Sequence, residues 1–279
     1  MKLRLYHHHD GARVAYREAG TGPALALLHS PGLSHREFAP VSDELAERYR
    51  LVLPDLPGHG DSEDRPRHPW TPEWLAEVIA GFCGEVLGPR PLVGGHDVGA
   101  ELLLRAAAAG WLRPRKVVLM SSRLHTGMPR GHKIRTWRAV TRAAAVPGLD
   151  RALAGMAPAV FRPAVGIRLS ARGNPEAANL VRHAFKDVSG NSNRARSWAK
   201  LARHWPMGVQ LDLLDAYERL AVPVLLLWAD EDRLYPVSLA EDVLARLPNG
   251  QLRVLDGAGY LMAYDDPVGV VRELVAFCR

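Results

Sequence analysis

The run Gly95-His96-Asp97-Val98-Gly99 constrains the fold of this chain more than any other feature. The apolar run Pro91-Leu92-Val93 precedes it, and the helix-forming residues 101–109 follow it. Two glycines around a polar residue, between a strand pattern and a helix pattern, indicate a strand, a tight turn and a helix. The amides and the dipole at the start of that helix favour an ionised carboxylate. We therefore expect Asp97 to be a chemically active carboxylate.

Strand and helix patterns alternate along most of the chain, which indicates an α/β fold with a mostly parallel sheet. Strands are predicted at Ala12–Ala19, Ala24–His29, Arg50–Asp55, Pro91–His96, Lys116–Ser121, Pro223–Ala229 and Gln251–Asp256. Helices are predicted at Ser34–Tyr49, Thr71–Leu87, Val98–Ala109, Pro236–Leu247 and Pro267–Phe277. The alternation stops between Met120 and Tyr217. This predicts an α/β core of residues 1–126 and 216–279 with an inserted helical cap of residues 127–215.

The positive charge of the chain is concentrated in the predicted cap. Residues 127–215 contain 15 Lys and Arg but 5 Asp and Glu, whereas all 279 residues together carry a net charge of +6. The cap lacks the interleaved aromatic residues and reading motifs of nucleic-acid binders, so no nucleic-acid partner is expected. The charge predicts either a solvated basic face or a site that attracts an anionic substrate or an acidic protein.

Neither a membrane segment nor a bound group is predicted. No apolar run reaches the roughly 20 residues that span a bilayer, and the first residues lack a signal peptide pattern. Cys83 and Cys278 are the only cysteines, which favours a reducing, cytoplasmic location over a disulfide framework. The run His7-His8-His9 lacks partner ligands at metal-binding spacing. No metal or cofactor is expected, and the oligomeric state, monomer or homodimer, stays open.

Five motifs resemble the epoxide hydrolase and haloalkane dehalogenase branch of the α/β-hydrolase superfamily. They are Leu27-Leu28-His29-Ser30-Pro31-Gly32, Pro54-Asp55-Leu56-Pro57-Gly58-His59-Gly60-Asp61-Ser62, the run Gly95–Gly99, Leu227-Trp228-Ala229-Asp230-Glu231-Asp232-Arg233 and Gly257-Ala258-Gly259-Tyr260-Leu261. The resemblance implies an α/β-hydrolase fold with an eight-stranded sheet. It also implies that the aspartate in the turn Gly95–Gly99, which we call the elbow, forms an alkyl-enzyme ester. A histidine, oriented by a second acid, would then activate water to hydrolyse the ester.

The catalytic positions of this branch carry over only in part. Asp97 matches the nucleophile and Asp232 matches the orienting acid, but the histidine position falls on Tyr260. A protonated phenol suits hydrogen-bond donation better than the activation of water. Removal of a general base costs roughly 10²–10⁴ in rate. We therefore expect a divergent member without the catalytic histidine, in which the hydrolytic half-reaction is impaired.

The oxyanion site departs from the family pattern as well. Pro31 falls where the second amide donor is expected, and proline has no N–H. The amide of Val98 remains as the first donor, with Ser30 in the neighbouring loop. His125, just after the sixth predicted strand, is a candidate both for substrate contact and for replacing the missing base.

The predicted cap contains tryptophans and no tyrosine. Trp137, Trp198 and Trp205 are candidates for an aromatic wall that binds a polycyclic ligand, and helical core packing is the alternative. Glu101, one turn after Asp97, is interpreted as a charge that complements the helix dipole.

Three functions follow from these residues. The first is a non-hydrolytic enzyme, in which Asp97 and Tyr260 open an epoxide or promote rearrangement, cyclisation or C–C bond formation. Its predicted substrate is a small polycyclic aromatic natural product, anionic in some cases, because divergent members of this branch tailor aromatic polyketides. The second is an epoxide hydrolase or dehalogenase with a relocated base such as His125. The third is a catalytically retired binding protein.

Overall fold

A computed structural model describes residues 1–65, 67–127, 139, 142–143, 146, 148–149, 152, 168–189 and 191–279. Within these ranges eight strands form one sheet: β1 (Lys2–His7), β2 (Arg13–Ala19), β3 (Ala24–Leu28), β4 (Arg50–Pro54), β5 (Leu92–His96), β6 (Lys116–Met120), β7 (Val224–Ala229) and β8 (Gly250–Leu255). Their order is β1-β2-β4-β3-β5-β6-β7-β8. β2 pairs antiparallel with β1 and β4, and the other neighbours are parallel. The predicted eight-stranded, mostly parallel sheet is confirmed.

β1 is absent from the strands predicted above. It is an edge strand in which Tyr6 alone is buried, while Leu3 and Leu5 are about half exposed. Because so little of β1 enters the core, its apolar residues resemble those of a surface segment. The other seven strands lie within a few residues of their predicted positions.

Helices cover both faces of the sheet. The helices in the described ranges are α1 (Ala39–Ala46), α2 (Pro72–Leu87), α3 (Val98–Ala108), α4 (Pro175–Ser189), α5 (Ser192–His204), α6 (Leu211–Arg219), α7 (Val237–Leu244), α8 (Met262–Asp265) and α9 (Pro267–Cys278). A 3₁₀ turn, His35–Phe38, precedes α1. One hydrophobic cluster packs α2, α3, α6 and α7 against the sheet, and a second packs α1 and α9 against the opposite face. No helix in the described ranges is long and apolar enough to cross a membrane.

Residues just before the predicted cap form hydrogen bonds with residues near its end. The amide of Gln210 donates to the carbonyl of His125 at 2.8 Å, and its side-chain amide donates to the carbonyl of Leu124 at 2.7 Å. Arg123 donates to the carbonyl of Pro206 at 2.9 Å. The part of the cap that the structure describes contains helices and no strand. Its boundaries stay a prediction, since α6 crosses residue 215.

The turn at Asp97 has the conformation that the sequence predicts. β5 ends at His96, α3 begins at Val98, and Asp97 between them has φ 50° and ψ −114°. The two glycines of the motif allow close packing. A Cβ atom on Gly95 would lie 2.4 Å from the backbone of Gly99, and one on Gly99 would lie 2.5 Å from the carbonyl oxygen of Leu28. Any larger residue at either glycine would therefore displace the turn.

We expect Gly99→Ala to lower the free energy of unfolding by roughly 1–3 kcal/mol, because the added methyl group meets backbone atoms. Gly84→Ala in α2 is the matched control, since a Cβ atom there meets nothing within 4 Å. That control should raise the free energy of unfolding by roughly 0.5–1 kcal/mol through helix propensity. Urea denaturation of both variants measures the difference. Equal effects of the two substitutions would contradict the packing described for the turn.

Candidate active site

Two tyrosine hydroxyl groups meet the carboxylate of Asp97. Tyr260 donates to Oδ2 at 2.8 Å and Tyr235 donates to the same oxygen at 3.0 Å. Asp97 lies at the carboxyl end of β5, in the middle of the sheet, and only 5% of it is exposed. The hydroxyl of Ser122 holds the backbone of Asp97 by donating to its carbonyl oxygen at 3.0 Å. The carboxylate is therefore buried, held in place and paired with two donors.

Burial dominates the ionisation of this cluster. It raises the pKa of Asp97, although the charge of His96 and the two tyrosine hydrogen bonds act in the opposite direction. Burial also raises the pKa of Tyr260 and of Tyr235, and the neighbouring Asp97 carboxylate raises both further. Both phenols therefore stay protonated at neutral pH, when they can donate hydrogen bonds but cannot act as bases.

Asp232 positions Tyr235. Its Oδ1 atom accepts hydrogen bonds from the amides of Leu234 at 2.7 Å and Tyr235 at 3.2 Å, which closes a turn after β7. Its Oδ2 atom is buried without a hydrogen-bond partner in the described ranges. Burial raises the pKa of Asp232, and the neighbouring hydroxyl of Ser121 opposes this rise without forming a hydrogen bond to the carboxylate. The predicted orienting acid is thus at the site, where its bonds go to the turn that carries Tyr235.

Tyr235 was not among the residues predicted from the sequence. Its only local signal is its place three residues after Asp232, in the turn that the carboxylate of Asp232 closes. Trp228 donates from its indole nitrogen to the carbonyl of Tyr235 at 3.1 Å and fixes the other side of the turn.

His96 and Glu37 form a buried ion pair next to Tyr260. Nδ1 of His96 bonds Glu37 Oε1, and Glu37 Oε2 accepts the amide of Ser30 at 2.6 Å. The ring centroids of His96 and Tyr260 are 4.5 Å apart. Burial acts to lower the pKa of His96, but the Glu37 carboxylate outweighs it, so the pKa is raised. Glu37 thus favours the positive charge of His96 beside Asp97, and nothing in the sequence motifs indicates this role of Glu37.

The loop after β3 supplies no free amide to an oxyanion. The amide of Ser30 bonds Glu37, that of Gly32 bonds Nε2 of His59 at 3.0 Å, and that of Leu33 bonds the carbonyl of Ser30. Pro31 is exposed and has no N–H. The amide of Val98, the first residue of α3, is the donor that remains, as all first-turn amides lack helical partners. The hydroxyl of Ser30 lies beside Tyr260 and, without a hydrogen bond of its own, opposes the rise of the phenol pKa that burial causes.

Glu101 is a buried ion-pair partner, and the interpretation as a simple helix-dipole charge is incomplete. Arg123 donates from Nε to Glu101 Oε1 at 2.8 Å and from Nη2 to Oε2 at 3.4 Å. Burial raises the pKa of Glu101 to about 7, against the lowering effect of Arg123. Arg123 also lowers the pKa of Asp97, so it is a second cation of the site that the sequence did not indicate.

The structure places His125 away from the Asp97 carboxylate cluster. Its Nδ1 atom lies 3.1 Å from the hydroxyl of Tyr217, and its Nε2 atom lies 3.2 Å from the carboxylate of Asp242. These contacts go to α6 and α7. Because both ring nitrogens are engaged, His125 is poorly placed to activate water at Asp97.

The three tryptophans that are candidates for ligand contact have different surroundings. Trp198 donates to the carbonyl of Gly58 at 2.7 Å, packs against the ring of His59 and borders a small cleft. Trp205 is buried in the cluster that packs α2 and α3 against the sheet. Trp137 lies outside the described residues. Trp198 is therefore the one of the three that borders a cleft in the described ranges.

Residues 25–273 match the model of the alpha/beta hydrolase family. Similar proteins include an uncharacterized protein of Mycobacterium tuberculosis, 27% identical over 92% of this chain and 75% of that protein. The magnesium-chelatase 30 kDa subunit of Rhodobacter capsulatus is 28% identical over 86% of this chain and 81% of its own length. The pimeloyl-[acyl-carrier protein] methyl ester esterase of Xanthomonas campestris is 32% identical, with coverages of 86% and 89%.

Solved structures share the whole architecture at low identity. A thermophilic esterase from Thermogutta terrifontis superposes with a TM-score of 0.79 at 21% identity, over 100% of this chain and 98% of the other. The epoxide hydrolase CorEH gives 0.76 at 18% identity, with coverages of 99% and 98%. A bromoperoxidase from Bacillus anthracis gives 0.78 at 15% identity, with 99% of each chain covered. At these identities the likeness concerns the fold.

Burial of Asp97 predicts that its charge destabilises the fold. Below pH 3.8, the ordinary pKa of the carboxyl, it is protonated in both the folded and the unfolded chain. As the pH rises towards the raised pKa of the folded state, ionisation favours the unfolded chain. Asn mimics the protonated form. We therefore expect Asp97→Asn to unfold with a higher free energy than the wild type at pH 7, by an amount that shrinks towards pH 4.

Urea denaturation between pH 4 and pH 8 measures this difference. Asp43→Asn, an exposed substitution on α1, is the control and should show no such pH dependence. A difference that stays constant over the whole pH range would show that backbone strain at residue 97, rather than the charge, causes the effect.

Proposed function

Because the chain belongs to the alpha/beta hydrolase family, we propose that it is an enzyme in which the Asp97 carboxylate and two tyrosine hydroxyls convert a substrate without adding water. The observation that carries this proposal is the convergence of Tyr260 and Tyr235 on one oxygen of Asp97. A hydrolytic site of the branch it resembles would hold a basic imidazole at position 260. Here that position holds a proton donor.

The two oxygens of Asp97 have different surroundings, which allows different roles. Oδ2 accepts both tyrosine hydrogen bonds, while no described hydrogen bond goes to Oδ1. Oδ1 can therefore act as the base or the nucleophile. A raised pKa brings the carboxylate nearer to the working pH and makes it a stronger base than an exposed aspartate. The phenols, which stay protonated, can stabilise negative charge on a substrate oxygen.

Proton transfer through these groups balances without water. Asp97 removes a proton from a carbon next to an epoxide, the electron pair forms a new C=C bond, and the C–O bond of the epoxide breaks. The released oxygen takes the proton of Tyr260. Rotation of the Asp97 carboxyl group then brings its protonated oxygen to the place of Oδ2, 2.8 Å from the Tyr260 oxygen, to which the proton returns. The net change is an isomerisation, and both side chains return to their initial states.

Three features disfavour hydrolysis of an ester on Asp97. Both phenols at the carboxylate are protonated, the nitrogens of His125 are engaged by Tyr217 and Asp242, and the loop around Pro31 has no free amide donor. Loss of the base costs roughly 10²–10⁴ in rate, and loss of one oxyanion donor costs about 10²–10³. Attack by Asp97 itself needs no base, so the first half of the reaction is the less affected one.

The substrate that we propose is a polycyclic aromatic natural product with an epoxide or an enolisable carbonyl group. The indole of Trp198 would supply an aromatic surface, from a small cleft whose lining includes none of Asp97, Tyr235 and Tyr260. The basic residues of 127–215 would attract a phenolate or carboxylate substrate by their field.

Incubation with (2,3-epoxypropyl)benzene, whose benzylic CH₂ group lies next to the epoxide ring, tests the role of Asp97. Intact-mass and product analysis should show either an isomerised product or a stable adduct on the protein, and no diol. Asp97→Asn should lose both, while the exposed control Asp43→Asn should keep them. Rapid release of a diol that carries ¹⁸O from labelled water would overturn the proposal in favour of a hydrolase. Binding without any reaction, equal in Asp97→Asn, would favour a retired binding protein.

Tyr260→His should create a hydrolase from this site. The unpartnered Oδ2 atom of Asp232 is available to orient the new imidazole, which can then activate water. We expect release of the adduct to accelerate by roughly 10²–10⁴, measured as ¹⁸O incorporation into the product. Tyr260→Phe, which removes the hydroxyl without adding a base, should show no such gain. Unchanged release in Tyr260→His would mean that another base already works in the wild-type protein.

A further inference from the structure

Two histidines and a glutamate, residue types that often bind metal ions, meet at the outer edge of the sheet, far from Asp97. His8 and His9 lie in the turn between β1 and β2, and Glu77 lies on α2. One ligand atom from each residue lies within 4.8 Å of the others. We propose that His8, His9 and Glu77 bind a divalent transition-metal ion. Glu77 supplies the partner ligand that the spacing of the histidine run lacks in the sequence.

His8 is held as a metal ligand would be. Its Nδ1 atom lies 3.1 Å from the hydroxyl of Tyr6, which fixes the ring and leaves Nε2 for an ion. Metal-binding histidines usually have such an outer partner on the second nitrogen. Gly81 allows this arrangement, because a Cβ atom there would lie 2.5 Å from the Tyr6 hydroxyl and 3.2 Å from Nδ1 of His8. Gly81 is one helical turn beyond Glu77, so the same face of α2 carries the third ligand.

The spacing and exposure of the three side chains also fit a metal ligand set. The ring centroids of His8 and His9 are 4.1 Å apart. The side chains of His9 and Glu77 are 73% and 48% exposed, with 4.0 Å between Nε2 and Oε1, so both can close on an ion.

Asp10 is engaged elsewhere, which leaves the three proposed ligands as the set. Its carboxylate accepts the indole N–H of Trp74 at 2.8 Å and the amide of Ala12 at 2.8 Å. It also lies 3.4 Å from Nδ1 of His68. Two imidazoles and one carboxylate form a donor set that suits zinc and its neighbours in the first transition row and does not suit magnesium or calcium.

The position of the cluster gives the ion a structural role. β1 and β5 are separated by β2, β4 and β3, which places the turn about four strand spacings, roughly 19 Å, from the strand that leads to Asp97. An ion bound there would join the β1–β2 turn to α2. Because an ion that binds only the folded state stabilises it, the edge strand β1 would gain stability from binding.

Titration with Zn²⁺ alone tests the site, and the histidine run provides its own control. Calorimetry should show one Zn²⁺ per chain in the wild type, and a melting temperature that rises with Zn²⁺ but not with Mg²⁺. His9→Asn and Glu77→Gln are exposed and should fold normally, yet lose saturable binding and the thermal shift. His7→Asn should behave as the wild type, because His7 lies outside the cluster. Tyr6→Phe should weaken binding about tenfold through loss of the outer partner.

Two results would overturn the proposal. One is the absence of stoichiometric Zn²⁺ binding to the folded wild type. The other is equal weakening by His7→Asn and His9→Asn, which would indicate nonspecific binding to surface histidines. Neither result bears on the reaction at Asp97, since no residue of the Asp97 site is altered.

Discussion

Burial of the Asp97 carboxylate is the constraint on which the rest of the site depends. The turn between β5 and α3 holds this side chain at the centre of the sheet, where loss of hydration penalises its charge. Groups from different parts of the fold compensate. The hydroxyls of Tyr260 and Tyr235 bind one carboxylate oxygen, and the charges of His96 and Arg123 oppose the rise of the pKa that burial causes.

Each compensating cation is itself buried and therefore needs a buried acid. Glu37 neutralises His96 and also ties down the amide of Ser30, so the same carboxylate shapes the loop beside the site. Glu101 neutralises Arg123, which in turn binds the backbone carbonyl of Pro206, near the end of the predicted cap. Removal of one member of such a pair leaves an uncompensated charge, which costs several kcal/mol in buried pairs generally. The elbow, the loop after β3 and the end of the predicted cap are thus coupled through charge.

The reaction that we propose moves protons within the site. A hydrolytic enzyme needs a base that takes a proton from water, whereas the groups that contact Asp97 are donors. Asp232, which would orient an imidazole in the branch that the sequence resembles, instead closes the turn that presents Tyr235. The sheet and the elbow are those of the family, and the chemistry that we propose differs because position 260 holds a phenol.

The sequence by itself determined the sheet, the elbow, the place of Asp97 and Asp232, and the phenol at position 260, because these depend on local backbone patterns and on the order of strands. Only the tertiary structure decided which side chains act on Asp97. Tyr235 lies 138 residues from Asp97, and Glu37 lies 59 residues from His96. No local pattern encodes contacts at such separations, since they arise when parallel strands bring their carboxyl ends to one edge. The histidine run is visible in the sequence, but its contact with Glu77 is not, because only the packing of α2 brings Glu77 beside the run.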